Sequence, residues 1–315
     1  MENVNWGILG CGDVCERKSG PPMYKTPHSA LAAVMRRDAA KAADFARRHG
    51  VPKSYTDADA LIADPGVDIV YVATPPDSHR ELALKVLAAG KPVYVEKPMA
   101  MNYDEARQML AARDKSGKVL TIGYQNRYRP ECLYLKQECE AGTFGDIYYA
   151  HAQAIRRRAV PTWGVFIDEE KQGGGPLIDI GTHALDLTLF MMDNYEPDYC
   201  VGTTYHALNK QTQTGNAWGD WDTEKFTAED SAFGFVVMKN GATIYLSSSW
   251  ALNTLDVREA VTEFSGTKAG ADMRDGLRIN GVRNGRQYVF KPDFSAGGVA
   301  FFDGASGGNP NDLEA

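Results

Sequence analysis

Over the first 123 residues, short apolar runs alternate with segments whose apolar positions recur at helical spacing. The apolar runs cover 4–9, 30–35, 69–73, 92–95 and 120–123, and the helical patterns between them cover 41–49, 80–89 and 102–116. Two of these helices carry a start signal of the Ser/Asn-x-x-Glu kind, Ser78 with Glu81 and Asn102 with Glu105. Gly90 and Gly117 follow two helices where a left-handed cap is needed. Nearly continuous apolar strands separated by helices predict a parallel sheet covered on both faces. The pattern changes after about residue 125. A helix over 131–141 leads to the strand-like "DIYYAHAQAI", and a long apolar helix starts at Ile178. From residue 198 onward alternating segments dominate: "DYCVGTTYHAL", "SAFGFVVMKNGATIYLSSSW", "REAVTEFSG" and "GLRINGVRNGRQYVF". Asn240-Gly241 and Asn284-Gly285 are hairpin signals within them. This half reads as a largely antiparallel sheet with a helix or two on one face, followed by a Gly/Asn-rich tail read as loop.

A chain of 315 residues exceeds one typical core, so the change of pattern marks two α/β domains, 1–125 and 126–315. A net charge of -7 argues against nucleic-acid or anionic-membrane partners, which reward clustered positive charge. No apolar run approaches the roughly 20 residues that span a bilayer. The N-terminal "MENVNWGILG" lacks the order of a signal peptide, so a cytoplasmic location is expected. Five cysteines without a CxxC pair predict neither a disulfide framework nor a metal site; they are expected to pack as small hydrophobes.

Chemistry first appears in "WGILGCGDVCERKS". Gly10-x-Gly12 directly follows the first strand and precedes a short helix, with Cys15 in place of a third glycine. Such a turn lets backbone amides approach a pyrophosphate, and Asp13 and Val14 complete the loop. A turn required only by chain geometry is the alternative. At the end of the second strand, where an acidic residue would receive the ribose hydroxyls of NAD, the chain reads Met35-Arg36-Arg37. Guanidinium groups pair with phosphate, so NADP is the expected cofactor; Asp38, slightly later, keeps NAD open. Thr74 and Pro75 of "ATPPDSH" are placed to line the nicotinamide ribose pocket, and His79 is either a ligand there or an early helix residue.

In "VYVEKPMAMN", Lys97 ends an apolar strand on the same carboxyl edge, and Pro98 keeps it extended. Its counterpart is sought in "GGGPLIDIGTHALDLTLFMMD". Asp179, His183 and Asp186 fall at i, i+4 and i+7, one polar stripe on an otherwise apolar helix. Burying such groups is costly unless they are paired or face a cleft. The alternative is that Asp179 caps the helix and His183 satisfies it locally. Glycines 173–175 would let a ligand approach. Tyr124 and Arg127 of "GYQNRY", Trp163, and the arginines 156–158 are further substrate candidates, the arginines equally readable as a solvated strand end.

Taken in order, "GILGCGDV", "EKP" and "GGGPLIDIGTHALDL" resemble the motifs of the glucose–fructose oxidoreductase, inositol dehydrogenase and rhizopine catabolism (Gfo/Idh/MocA) family, over about residues 4–255. The resemblance implies an N-terminal Rossmann dinucleotide-binding domain and a C-terminal α/β domain with a large, mostly antiparallel open sheet that mediates dimers or tetramers. By position, Lys97, Asp179 and His183 correspond to the family's catalytic residues. Gly10 and Gly12 correspond to its phosphate loop, Glu96 to a cofactor contact, and the Arg36-Arg37 pair to its NADP-preferring members. The implied activity is hydride transfer between a nicotinamide and a secondary alcohol or ketone of a sugar, inositol or related polyol. His183 would be the base, Lys97 would stabilise the alkoxide, and Asp179 would orient the substrate or the imidazole. An oxidation–elimination glycosidase with tightly held NAD and a non-catalytic ligand or redox sensor are the competing readings. Relatives continue past the final strands into a helical segment. Nothing after Phe302 resembles it, so the C-terminal end is expected to be shortened or diverged.

Overall fold

The computed structural model describes residues 3–294 as two sheets with their covering helices. The first sheet holds β1 (Val4–Leu9), β2 (Ser29–Met35), β3 (Lys53–Tyr55), β4 (Ile69–Val72), β5 (Val93–Val95) and β6 (Leu120–Ile122). It is parallel throughout, in the order β3-β2-β1-β4-β5-β6. Helices α1 (Asp13–Arg17), α2 (Pro22–Lys25), α3 (Ala39–His49), α4 (Ala58–Ala63), α5 (His79–Ala88) and α6 (Tyr103–Ser116) connect the strands. Successive strand residues point to opposite faces, so Ile8, Val34 and Tyr71 join Cys15, Met23 and Phe45 in one buried layer. Leu9, Val70, Val72, Val93 and Val95 join Leu61, Leu82, Val86 and Met109 in the other. The chain order reverses between β1 and β4, which opens a crevice at the carboxyl ends of those strands.

Local signals account for most of these boundaries. Asn102 accepts the Glu105 amide at 3.0 Å while the Glu105 carboxylate accepts the Met101 amide at 3.1 Å, a reciprocal cap. Gly117 ends α6 at φ 64°. Ser78 does not cap α5: its hydroxyl is taken by Thr74 Oγ1 and the Pro75 carbonyl, both at 2.8 Å, because a short 3-10 turn over Pro76–Ser78 precedes the helix. Helix α1 is short because Gly20 packs onto its backbone; a Cβ there would lie 2.1 Å from the Cys15 carbonyl oxygen. Strand β3 and helix α4 carried no readable apolar run. The first is a three-residue, mostly exposed edge, and the second a six-residue turn held by an Asp57 cap on the Ala60 amide.

Beyond helix α7 (Pro130–Glu140) lies the second sheet: β7 (Ile147–Ile155), β8 (Pro197–Tyr205), β9 (Ser231–Met238), β10 (Thr243–Ser249), β11 (Arg258–Gly266), β12 (Ala269–Asp272), β13 (Arg278–Arg283) and β14 (Arg286–Phe290). Its order is β14-β13-β12-β11-β7-β10-β9-β8, antiparallel except between β7 and β10. Between β7 and β8 the chain forms α8 (Glu169–Gln172) and α9 (Thr182–Met192). Helix α9 buries Ala184, Leu187 and Met191 against Ala150, Ala152 and Phe264 of the sheet. The opposite face leaves Tyr149, Tyr199, Val201 and Tyr245 exposed. Asn284 and Gly285 both have positive φ, the two-residue turn that matches strand twist, and Gly241 (φ 88°) turns β9 into β10. Strand β12, Ala-Gly-Ala-Asp, has little intrinsic strand preference and is set by its neighbours. The five cysteines are free thiols, four of them buried or partly buried. Among the described residues no helix is long and apolar enough to cross a membrane. The tail read as loop, residues 295–315, lies outside the described residues.

Candidate active site

Lys97 lies two residues beyond β5, and its peptide bond to Pro98 is cis. The side chain crosses to the second half of the molecule. Its Nζ donates to Asp179 Oδ1 at 2.7 Å and to the Asp179 carbonyl at 3.1 Å. The second carboxylate oxygen accepts from Trp250 Nε1 at 2.9 Å. Asp179 is only 4% exposed. Burial alone would raise its pKa. The Lys97 ammonium outweighs that by charge and hydrogen bond, with help from Arg156 and the indole N–H, and holds the carboxyl below its usual range. Asp179 is therefore neither a helix cap nor paired with His183; both of its oxygens are committed across the fold.

The chain around Asp179 departs from a regular helix. Leu177–Gly181 form a π-helical turn, and the α-helix starts only at Thr182. The turn widens because it is pressed onto the sheet. Ser248 donates to the Pro176 carbonyl at 2.7 Å, and a Cβ on Gly181 would meet Ser248 Oγ at 2.9 Å. The preceding glycines serve the same packing. A Cβ on Gly175 would sit 2.0 Å from the Glu229 carbonyl oxygen, and one on Gly173 3.2 Å from Met101 Sδ. Glu229 itself, unnoticed in the sequence, is buried and accepts the Gly175 amide at 2.6 Å and the Leu177 amide at 3.3 Å.

His183 follows one turn later and is 9% exposed. Burial first, then the positive charges of Lys97, Arg156 and Lys18, push its pKa down to about 3; Asp179 opposes them. The imidazole is thus neutral at physiological pH. Its buried Nδ1 has no hydrogen-bond partner. Tyr124 meets the imidazole edge-on, ring centres 6.3 Å apart, and its hydroxyl is 3.1 Å from Thr182 Oγ1. Asp186 turns out of the stripe: it accepts two bonds from Arg127, one of them 2.8 Å from Nε. Arg127 thus has its Nε and Nη2 committed to Asp186.

On the cofactor side the two loop glycines differ. Gly10 has φ 88°, and a Cβ there would meet the Ala73 carbonyl oxygen at 2.9 Å, so chain packing alone requires it. A Cβ on Gly12 would meet nothing closer than 3.9 Å, so the chain does not need a glycine there. The open space above Gly12, on the crevice between β1 and β4, fits a dinucleotide phosphate. Asp13 and Val14 are exposed beside it. Arg36 reaches back to the Cys11 carbonyl of this loop at 3.3 Å, while Arg37 is exposed. Asp38 accepts the Lys41 amide at 3.1 Å with one carboxylate oxygen as the cap of α3.

Thr74 and exposed Pro75 follow β4 on the same edge. His79 is 1% exposed, and both ring nitrogens lie 2.8 Å from carbonyl oxygens, Nδ1 from Pro98 and Nε2 from Thr74. It brackets the Thr74 loop to the Lys97-Pro98 loop instead of offering a nitrogen to a cofactor. Glu96 is likewise engaged by the chain: one oxygen accepts from Tyr71, the other from the Lys97 amide at 3.2 Å. Trp163 is exposed on the second half beside Trp218. Trp250 and Tyr71 escaped the sequence reading, because nothing local marks a buried aromatic as the partner of a distant carboxylate.

Residues 4–124 match the family described as "Oxidoreductase family, NAD-binding Rossmann fold", and residues 132–272 match the GFO/IDH/MocA C-terminal domain. The chain belongs to the Gfo/Idh/MocA oxidoreductase family. Among its relatives, the D-glucoside 3-dehydrogenase of Escherichia coli K12 is 34% identical over 84% of this chain and 76% of its own. The human trans-1,2-dihydrobenzene-1,2-diol dehydrogenase is 29% identical over 62% of this chain and 58% of its own. A levoglucosan dehydrogenase structure, in complex with NADH and L-sorbose, superposes with a TM-score of 0.77 at 22% identity, covering 91% of this chain and 79% of that one. The Gfo/Idh/MocA assignment makes the chain a nicotinamide-dependent oxidoreductase of the Rossmann type.

The depressed His183 pKa has a thermodynamic consequence. Below pH 6.5 the unfolded chain takes up a proton at this residue that the folded chain refuses until about pH 3, so stability is lost as the pH is lowered across that window. His183→Asn should reduce the slope of unfolding free energy between pH 6.5 and about 4.5 by up to one proton, as read by urea denaturation at a series of pH values. Asp179, lowered from 3.8, acts only at more acid pH and does not confuse the measurement. Equal slopes for the two proteins would contradict the buried, neutral state.

Proposed function

We propose that this oxidoreductase moves a hydride between a nicotinamide dinucleotide and a secondary alcohol or ketone of a sugar or related polyol, with Lys97, Asp179 and His183 as its catalytic residues. Residues 1–125 serve the cofactor and residues 126–315 the substrate. The observation that carries the reading is the meeting of an ammonium from the parallel sheet with a carboxylate from the second half, one helical turn before a neutral imidazole. The dehydrogenase names of the relatives point the same way.

The bound nicotinamide supplies the hydride acceptor for alcohol oxidation. The remaining work falls to the chain. His183, neutral, accepts the hydroxyl proton. The Lys97 ammonium donates a hydrogen bond to the same oxygen and stabilises its growing negative charge. Asp179 holds that ammonium in place, and Trp250 holds Asp179. Tyr124 supports the imidazole edge. Lys97→Ala and His183→Ala should each lower kcat by about 10³-fold with dinucleotide affinity largely retained, checked by absorbance at 340 nm and by calorimetric titration of the cofactor. Loss of dinucleotide binding in a folded His183→Ala protein would overturn the assignment.

The cofactor is proposed to be NADP(H). Supporting this, Arg36 and Arg37 follow the carboxyl end of β2, and one oxygen of Asp38 caps α3. Arg37→Ala should raise the KM for NADP about tenfold and leave that for NAD unchanged; a preference of the unaltered enzyme for NAD would refute this.

The uncovered face of the second sheet is proposed to join subunits into a dimer or tetramer. His151, Tyr245, Phe235 and Val201 stand abreast there on four adjacent strands, an apolar row typical of an interface core. Tyr245→Lys should shift the sedimentation coefficient toward the monomer, whereas an unaltered protein already monomeric at micromolar concentration would exclude the interface.

A further inference from the structure

Beside the catalytic cluster lies an aromatic platform that the mechanism does not use. Trp163 and Trp218 are each 45% exposed, and their rings meet edge to face at 5.0 Å. The Arg156 guanidinium lies over Trp218, 5.5 Å from the ring centre. The Arg156 amide donates to the Ser249 carbonyl at 2.8 Å, and the next residue, Trp250, bonds Asp179. The backbone links agree: Ala159 donates to the Trp250 carbonyl at 2.9 Å, and Trp250 holds Asp179.

Two half-exposed indoles are costly to leave in water, and here they are also fixed. Asn216 clamps the two loops that carry them. Its Oδ1 accepts the Val160 amide at 2.8 Å, while its Nδ2 donates to the Val160 carbonyl at 3.0 Å and to the Gly219 carbonyl at 2.8 Å. Thr162 Oγ1 adds a bond to the Trp218 carbonyl at 2.9 Å. The rings are therefore held before any ligand arrives, which removes the ordering cost of binding. At the platform's edge Glu259 binds Arg156 while its side chain remains 60% exposed, leaving carboxylate lone pairs for hydroxyl donors. An apolar ring face flanked by a charged acceptor fits a pyranose, whose C–H face stacks while its rim hydroxyls donate.

We propose that Trp163, Trp218 and Glu259 form a second sugar subsite, and that the enzyme's substrates are glycosides in which the oxidised ring sits at Lys97 and His183 while the neighbouring pyranosyl ring rests on the tryptophans. This rests on the sugar-dehydrogenase reading and narrows it from free sugars to sugars carrying a glycosidic partner.

The test compares D-glucose with cellobiose, maltose and lactose on the full chain. The ratio of kcat/KM for the best disaccharide to that for glucose should exceed one and fall about tenfold in Trp218→Ala and in Trp163→Ala, with Trp218→Phe restoring much of it because it keeps an aromatic face. Circular dichroism confirms that each variant is folded. Intrinsic tryptophan emission, read without cofactor, should change on adding the disaccharide and lose that change in the double alanine variant. The inference fails if the ratio is unaltered by the substitutions, or if no disaccharide perturbs the emission. Absence of turnover on every sugar together with an emission change abolished by the double variant would sink the dehydrogenase reading while leaving the subsite standing.

Discussion

The ion pair between Lys97 and Asp179 joins residues 82 positions apart in sequence, and the organisation of the site follows from it. Two opposite charges are taken out of water here, at a desolvation cost that a single contact does not recover. The structure meets it with further bonds: a second one from the ammonium to the Asp179 carbonyl and one from the Trp250 indole to the free carboxylate oxygen. Removing either charge would strand the other. The pair thus ties the carboxyl edge of the first sheet to the helix that packs on the second.

The same pair sets the state of His183. An ammonium close by, added to burial, makes a second positive charge unfavourable, so the imidazole is kept neutral and able to accept a proton. As the proposed base it is weak by its pKa, so a proton it took would have to be passed on to solvent. Lys97, already an ammonium, cannot accept that proton; its proposed part is to stabilise the substrate oxygen. Acid–base chemistry and domain contact therefore depend on one electrostatic arrangement.

Rigidity around the cluster comes from close backbone packing. The glycines before the π-helical turn press against Glu229 and Met101, and Gly181 lies under Ser248. His79 ties the Thr74 loop to the Lys97-Pro98 loop through two carbonyl contacts. These residues hold Lys97, Asp179 and His183 in place.

The sequence by itself determined the parallel and antiparallel halves, the principal strands, the Asn102 cap, the Asn-Gly hairpins and the glycine loop, because each is written in the periodicity or turn chemistry of neighbouring residues. It also marked Lys97, Asp179 and His183 as chemically unusual, since charge inside an apolar context is visible locally. What only the tertiary structure decided is which unusual group meets which. Asp186, in the same stripe as Asp179, turned instead to Arg127; His79 and Glu96 were taken up by the chain; and Trp250 completed the carboxylate site without any signal nearby. The short edge strand β3 and the strand β12 were invisible for the same reason. Their conformation comes from hydrogen bonds to strands formed by distant residues, and the partner of a buried polar atom is fixed by packing across the fold, which no local pattern records.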